Sequence, residues 1–229
     1  MGKNKLERFA EIAEFDHVFE LTDYQDSDTP KPKGRWHDHI FGNDQPLVLE
    51  LACGKGEYAV ELATRNPDVN YVGVDIKGAR IWKGAKRVLN RELSNIRFLR
   101  TYIDHLDQYF GENEVDEIWI TFPDPYPKWS DRNKRLTAPK FLSIYQRVLR
   151  KGGSIHLKTD SDSLFTFTRE TIMEQQCELE DLVEDVHAQR PQDPLLSIKT
   201  YYEKGHIEEG RSIKYLKFRL PDRPIANAD

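Results

Sequence analysis

The sequence predicts a doubly wound α/β fold with a mostly parallel seven-stranded sheet, helices on both faces and an antiparallel strand near the C-terminal edge. Three observations carry this. Short apolar runs alternate with amphipathic stretches from residue 45 to about residue 176, the pattern of a parallel sheet covered on both sides. The first two runs close on acids, Glu50 and Asp75, where ligands of such sheets gather. Two late runs, 179–186 and 213–220, follow one another without an obvious helix between them, which suggests an antiparallel pair at one edge.

The elements follow in order. Leu47-Val-Leu-Glu50 reads as a buried strand ending in a glycine-bearing turn, and a helix is expected from about Glu57 with Ala59, Leu62 and Ala63 on one face. Tyr71-Val-Gly-Val-Asp75 is the second strand. Its helix carries Ile81, Ala85, Val88 and Leu89 as an apolar stripe. Ile96–Leu99 and Glu117–Thr121 are the third and fourth strands. A helix marked by Phe141, Tyr145, Val148 and Leu149 should stop at Gly152-Gly153, before a fifth strand, Ser154–Thr159, and a helix through about Gln176.

The chain has 229 residues, 38% hydrophobic and 32% charged, which suits one domain with short extensions. Residues 1–35 read as a partly flexible N-terminal arm, 36–221 as the domain and 222–229 as a tail; Ser27-Asp-Thr-Pro-Lys-Pro-Lys-Gly34 is punctuated like a linker. The net charge of −5 gives no general attraction to nucleic acid, so any such contact must rest on a local basic patch. Two cysteines without metal spacing fit a reducing cytosol; Cys53 reads as a packing residue. Seven histidines are scattered without a metal-ligand pattern, so no metal is expected. The start lacks an apolar signal core and no run approaches membrane-spanning length, so a cytoplasmic location is expected.

Chemistry is expected at the carboxyl ends of the strands. In Glu50-Leu-Ala-Cys-Gly-Lys-Gly56, Gly54 and Gly56 let the backbone turn tightly and approach a ligand. The run Gly54-x-Gly56-x-x-Ala59, with Asp75 about twenty residues on, also fits the dinucleotide fingerprint. Glu50 separates the two readings. A carboxylate beside a pyrophosphate site repels it, whereas S-adenosylmethionine carries an ammonium and a sulfonium that favour acidic surroundings. Asp75 is placed to accept ribose hydroxyls, and Tyr102, beyond the third strand, is the candidate for the adenine edge. The fourth strand runs into Phe122-Pro-Asp-Pro-Tyr-Pro-Lys128, a stiff loop suited to holding Asp124 at the methyl end of the cofactor.

That loop, together with Glu50–Gly56, Leu136-Thr137, Leu157-Lys-Thr-Asp160 and Thr200-Tyr-Tyr-Glu203, resembles in order and content the bacterial tRNA guanine-N7 methyltransferases, over roughly residues 34 to 220. The resemblance implies a class I methyltransferase fold and transfer from S-adenosylmethionine, leaving S-adenosylhomocysteine, to N7 of a variable-loop guanine in tRNA. It implies cofactor roles for Glu50, Asp75 and the position around Tyr102, and a catalytic or base-orienting role for Asp124. It implies tRNA or guanine contacts for Lys128, Asp160, Thr200 and Glu203, with an RNA-contacting basic loop over 129–135. Tyr201 and Tyr202 could stack on a base, or pack within the fold as tyrosines more commonly do. Three departures stand out. Tyr126 occupies a position usually Trp, and Tyr102 one usually Asp or Asn. The basic loop is thin, since Trp129, Ser130 and Asp131 leave only Arg132, Lys134 and Arg135. Lys31, Lys33 and Arg35 of the arm are candidates to compensate. Monomer and homodimer both fit. A class I methyltransferase for another substrate remains compatible, while Glu50 and the proline loop count against an NAD-dependent oxidoreductase.

Overall fold

The structure is a computed structural model that describes residues 5–22 and 31–226. Helix α1 (Lys5–Ile12) and strand β1 (Val18–Glu20) precede β2 (Leu47–Leu51), α2 (Glu57–Arg65), β3 (Asn70–Asp75), α3 (Gly78–Arg91) and β4 (Ile96–Arg100). Then come β5 (Val115–Thr121), α4 (Pro139–Val148), β6 (Leu149–Thr159), α5 (Asp162–Glu174) and β7 (Glu178–Val183). Two short helices, α6 (Val186–Gln189) and α7 (Tyr201–Glu208), lead to β8 (Lys214–Arg219).

The described strands form one sheet in the order β1-β4-β3-β2-β5-β6-β8-β7. Pairing is parallel from β1 through β6, and β8 lies antiparallel between β6 and β7. Alternation along each strand divides the core in two. Leu47, Leu49 and Leu51 face one side with Phe141, Leu142 and Tyr145 of α4 and Leu164 and Phe165 of α5. Val48 faces the other with Ala59 and Leu62 of α2 and Ile81, Ala85 and Val88 of α3. Leu89, expected in that stripe, is exposed; a residue one position beyond Val88 lies about 100° further round the helix.

The doubly wound class and the antiparallel C-terminal edge match the expectation, with three differences. The sheet has an eighth strand, which comes from the segment read as an arm. Strand β1 pairs with β4 (Val18 opposite Phe98), Arg100 meets Glu20 at 2.6 Å, and α1 buries Ile12 against the α2–α3 layer. Three residues are too few to show a strand period, so only the partner edge reveals β1. Beyond it, Trp36 is fully buried, stacked on Phe110 at 4.9 Å, and Glu114 accepts from the backbone N–H of both Gly34 and Trp36. The folded domain thus begins well before residue 36. The linker-like stretch expected at 27–34 falls partly outside the described residues, at 27–30.

The second difference is at α4, which ends at Val148 and passes directly into β6, so Gly152 and Gly153 lie within the strand rather than at the helix stop. A Cβ on Gly153 would stand 2.7 Å from the Asp116 carbonyl, so close backbone approach is what that glycine serves. The third is that β7 and β8 are separated by α6 and α7, too short to show a helical period. Asp185 caps α6 through the N–H of His187 and Ala188, and Thr200 caps α7.

Candidate active site

Strand order reverses between β2 and β5, and the crevice at their carboxyl ends is where ligands of this architecture bind. Glu50, one residue from the end of β2, and Thr121, the last of β5, meet there. The Thr121 hydroxyl donates to Glu50 Oε1 at 2.6 Å, and the Ala59 N–H, in the first turn of α2, donates to Oε2 at 2.9 Å. Burial pushes the Glu50 carboxyl up to about 7 against the pull of those two hydrogen bonds, with the Asp75 carboxylate adding to the rise. Asp75 ties the same turn from β3, accepting from Gly54 N–H at 2.8 Å and from Lys77 N–H at 2.8 Å. Each carboxylate oxygen keeps a further lone pair for a ligand donor.

The turn between them is bent hard. Ala52 (φ 55°), Gly54 (φ 56°) and Gly56 (φ 60°) all occupy the left-handed region. At Ala52, which has a Cβ, that conformation is strained, as is common where a backbone is held to a functional geometry. Gly56 serves packing rather than a ligand: a Cβ there would lie 2.5 Å from the Phe98 ring, and the residue lines neither of the two clefts above the switch point.

One cleft, about 300 Å³, is lined by Asp75, Lys77, Tyr102, Lys134 and Phe141. The other, about 310 Å³, is lined by Glu50, Gly54, Lys55, Thr121, Asp160, Thr200 and Tyr202. Ala52, Arg80, Phe122, Pro123 and Asp124 line both. Asp124 is therefore at the junction. It is exposed, and among the described residues its carboxylate has no hydrogen-bond or ionic partner.

The loop that carries Asp124 is held at both ends. Phe122 N–H donates to the Lys158 carbonyl at 2.8 Å, with Phe122 at φ 49° and Tyr126 at φ 44°. Arg135 donates from Nε to the Pro125 carbonyl at 3.1 Å and from Nη2 to the Tyr126 carbonyl at 2.9 Å. Its side chain is buried. The expectation that Arg135 meets RNA is corrected: its donors point into the loop it supports. Arg132 lies 4.7 Å over the Trp129 ring, and Lys134 pairs with Asp131 at 2.8 Å while reaching the first cleft. Lys128 is exposed and outside both clefts.

The Thr200–Glu203 segment divides by depth. Thr200 Oγ1 accepts from Glu203 N–H at 3.2 Å, capping α7 at the cleft wall, and Tyr202 faces the cleft. Glu203 points the other way. It is fully buried, 2.9 Å from Lys158 Nζ and 2.9 Å from His187 Nε2, so the expected guanine contact through Glu203 is corrected to a support beneath the site. Lys158, also fully buried, donates in addition to the Leu196 and Ile198 carbonyls at 2.7 and 2.9 Å. Desolvation lowers its pKa, opposed by Glu203. Asp160 reaches the cleft, but Arg211 holds it at 2.7 Å and His206 stands 3.5 Å away.

Sequence reasoning missed Thr121, Arg80 and Lys158. Thr121 is the last and Lys158 the penultimate residue of strands already identified, and Arg80 follows Asp75 by five residues, so position near a strand end was the available signal. Lys33, expected to serve RNA, donates to the Asp107 carbonyl at 2.7 Å and lies outside both clefts. Among the described residues no His, Cys, Asp and Glu side chains cluster as a metal site would need, and no helix is long and apolar enough to cross a membrane.

Residues 44–216 match a family described as putative methyltransferase. The chain is 47% identical to a tRNA (guanine-N(7)-)-methyltransferase of Bacteroides thetaiotaomicron, covering 98% of this chain and 89% of that protein. It is 43% identical to one of Christiangramia forsetii, covering 96% and 99%. Among solved structures, the 16S rRNA methyltransferase KamB superposes with a TM-score of 0.64 at 16% identity, covering 84% of this chain and 96% of that one. A structure of an antibiotic-related methyltransferase gives 0.57 at 17% identity, covering 78% and 89%. These two show the shared fold, a class I methyltransferase sheet. The close relatives, matched along nearly their whole length, place the chain: it belongs to the tRNA (guanine-N7)-methyltransferase family.

Proposed function

We propose that the chain transfers a methyl group from S-adenosylmethionine to N7 of a guanine in tRNA, in the variable loop by resemblance, leaving S-adenosylhomocysteine. The observation that carries this reading is Asp124, a carboxylate without a partner at the junction of two clefts, over the switch point. The residues fit the cofactor's chemistry. Glu50 and Asp75 place two carboxylates where a cationic amino acid and a ribose diol need acceptors, and Tyr102 offers a half-exposed ring beside the first cleft for a flat base. A pyrophosphate would meet the same acids as repulsion.

When bound, S-adenosylmethionine supplies a sulfonium methyl group for in-line displacement. Guanine N7 already carries a lone pair, so the protein has no proton to remove and its work is alignment. Positive charge grows on the purine as the methyl arrives, and the Asp124 carboxylate stabilises it electrostatically while accepting from N1–H and the exocyclic amine. Thr200 and Tyr202 line the same cleft as Asp124, and Asp160 is a second acceptor, shared with Arg211.

The test is methyl transfer from labelled S-adenosylmethionine to unmodified tRNA, with the modified base mapped. Asp124→Ala should abolish transfer while keeping the melting profile and most cofactor affinity, because its carboxylate makes no hydrogen bond or ion pair with any other described residue. An Asp124→Ala protein of undiminished rate, or a wild-type product other than 7-methylguanine, would refute the assignment.

A further inference from the structure

An acidic chain must hold a polyanion, and the loop at 129–135 is poorly equipped to do so. Arg135 is buried in loop carbonyls, Lys134 is neutralised by Asp131 and Arg132 lies on Trp129. A different group of cations gathers at and beside the second cleft, which no residue of that loop lines. Arg80 and Lys83 lie three residues apart on α3 and so share a face. Lys55 joins them from the turn before α2, because Arg87 Nη1 donates to the Lys55 carbonyl at 2.9 Å. Gly84 permits the approach: a Cβ there would stand 2.9 Å from that same carbonyl.

Among the described residues, Lys55, Arg80 and Lys83 have no ion-pair partner. The carboxylate facing Lys55, Glu57, is taken by Arg87 at 3.0 Å and by the Tyr201 N–H at 2.6 Å. Desolvation, and then the charges of Lys83, Arg87 and Arg80, lower the Lys55 pKa despite Glu57, so the cluster repels itself. Aromatic faces are interleaved with it. Lys55 Nζ lies 3.5 Å over the Tyr201 ring and 5.4 Å over Tyr202, Arg80 stands 6.0 Å over Tyr202, and Tyr201 is 63% exposed. Lys55 and Arg80 also line the cleft that Asp124 overlooks. Unpaired cations with exposed aromatic rings beside that cleft match the chemistry of an RNA strand entering it: phosphates for the cations and a neighbouring base for the ring.

We propose that Lys55, Arg80 and Lys83, with the exposed rings of Tyr201 and Tyr202, hold the RNA backbone flanking the target base, in place of the 129–135 loop. This rests on the tRNA reading above. Each phosphate contact steepens the fall of affinity with salt, so the slope of log affinity against log salt counts the contacts.

The test measures binding of unmodified tRNA to the full chain by fluorescence anisotropy across a salt series, with S-adenosylhomocysteine present. The double variant Lys55→Gln/Lys83→Gln should flatten the slope by about two, one for each cation removed. Lys55→Arg/Lys83→Arg should keep it, which separates charge from a folding defect. Arg132→Gln/Lys134→Gln should flatten it by less than about one. A Gln double variant with the wild-type slope overturns the inference, as does a loop variant that loses more than the patch variant. If wild-type protein methylates no tRNA, the proposed function itself fails; if it does and only the slopes disagree, the patch alone is refuted.

Discussion

Glu50→Gln separates the cofactor role of this buried acid from its structural one. A carboxyl moved from 4.5 to about 7 is one whose ionised form, even with its two hydrogen bonds, costs about 3 kcal/mol in the free protein. The sign follows from proton counting. The folded chain keeps this proton to about 7 while the unfolded chain releases it near 4.5. The stabilisation is therefore complete below 4.5, declines as pH rises towards 7 and is gone above it. The amide of Gln can still accept from Ala59 N–H and can donate to the Thr121 hydroxyl, so its shape and partners survive. The free variant should therefore melt no lower than wild type at pH 8.

Cofactor binding should move the opposite way. A cationic amino acid beside Glu50 draws its proton off, so wild-type affinity should strengthen as pH rises towards 7, by up to about tenfold per pH unit. Glu50→Gln should lose this dependence and, at pH 8, bind about ten- to a hundredfold more weakly, the worth of a charged hydrogen bond. Calorimetry with S-adenosylmethionine and S-adenosylhomocysteine at pH 6, 7 and 8, in buffers of different ionisation enthalpy, reads affinity and proton release together. Equal affinities and superimposable pH profiles for the two proteins would mean that Glu50 does not meet the cofactor's charge.

Lys158→Met should cost about 3 to 5 kcal/mol in urea unfolding by leaving Glu203 buried beside His187 alone, and Lys158→Met/Glu203→Leu should recover part of it. Gly56→Ala should destabilise by more than about 1 kcal/mol, and by more than Gly54→Ala, since both bend to positive φ but only the Gly56 Cβ meets a ring. Differential scanning of the two variants checks the order. Arg135→Met should lower kcat by about tenfold or more with a smaller change in cofactor affinity, because it frees the Pro125 and Tyr126 carbonyls that aim Asp124. Single-turnover methylation set beside calorimetry separates the two effects.

Features that depend on local pattern are legible in the residues alone. The short continuous apolar runs Leu47–Glu50 and Tyr71–Asp75 announce strands buried on both faces, because such a run is a property of neighbouring residues. Strand-end acids and a proline-stiffened loop likewise mark Glu50, Asp75 and Asp124 without reference to anything distant. Tertiary structure decided what depends on partners far along the chain. Strand β1 exists because β4 has a free edge, a condition no three-residue window contains. Glu203 and Tyr202 are neighbours in one tetrapeptide, yet α7 turns one inward to Lys158 and the other to the cleft. Arg135, Lys55 and Arg80 are equally basic in sequence. Burial consumes the first in its own loop, while the meeting of α3 with the turn before α2 leaves the other two unpaired at the lip of the site. A charge's use is set by which acceptors, carbonyl or carboxylate, the fold brings within reach, and that is a property of the assembled molecule.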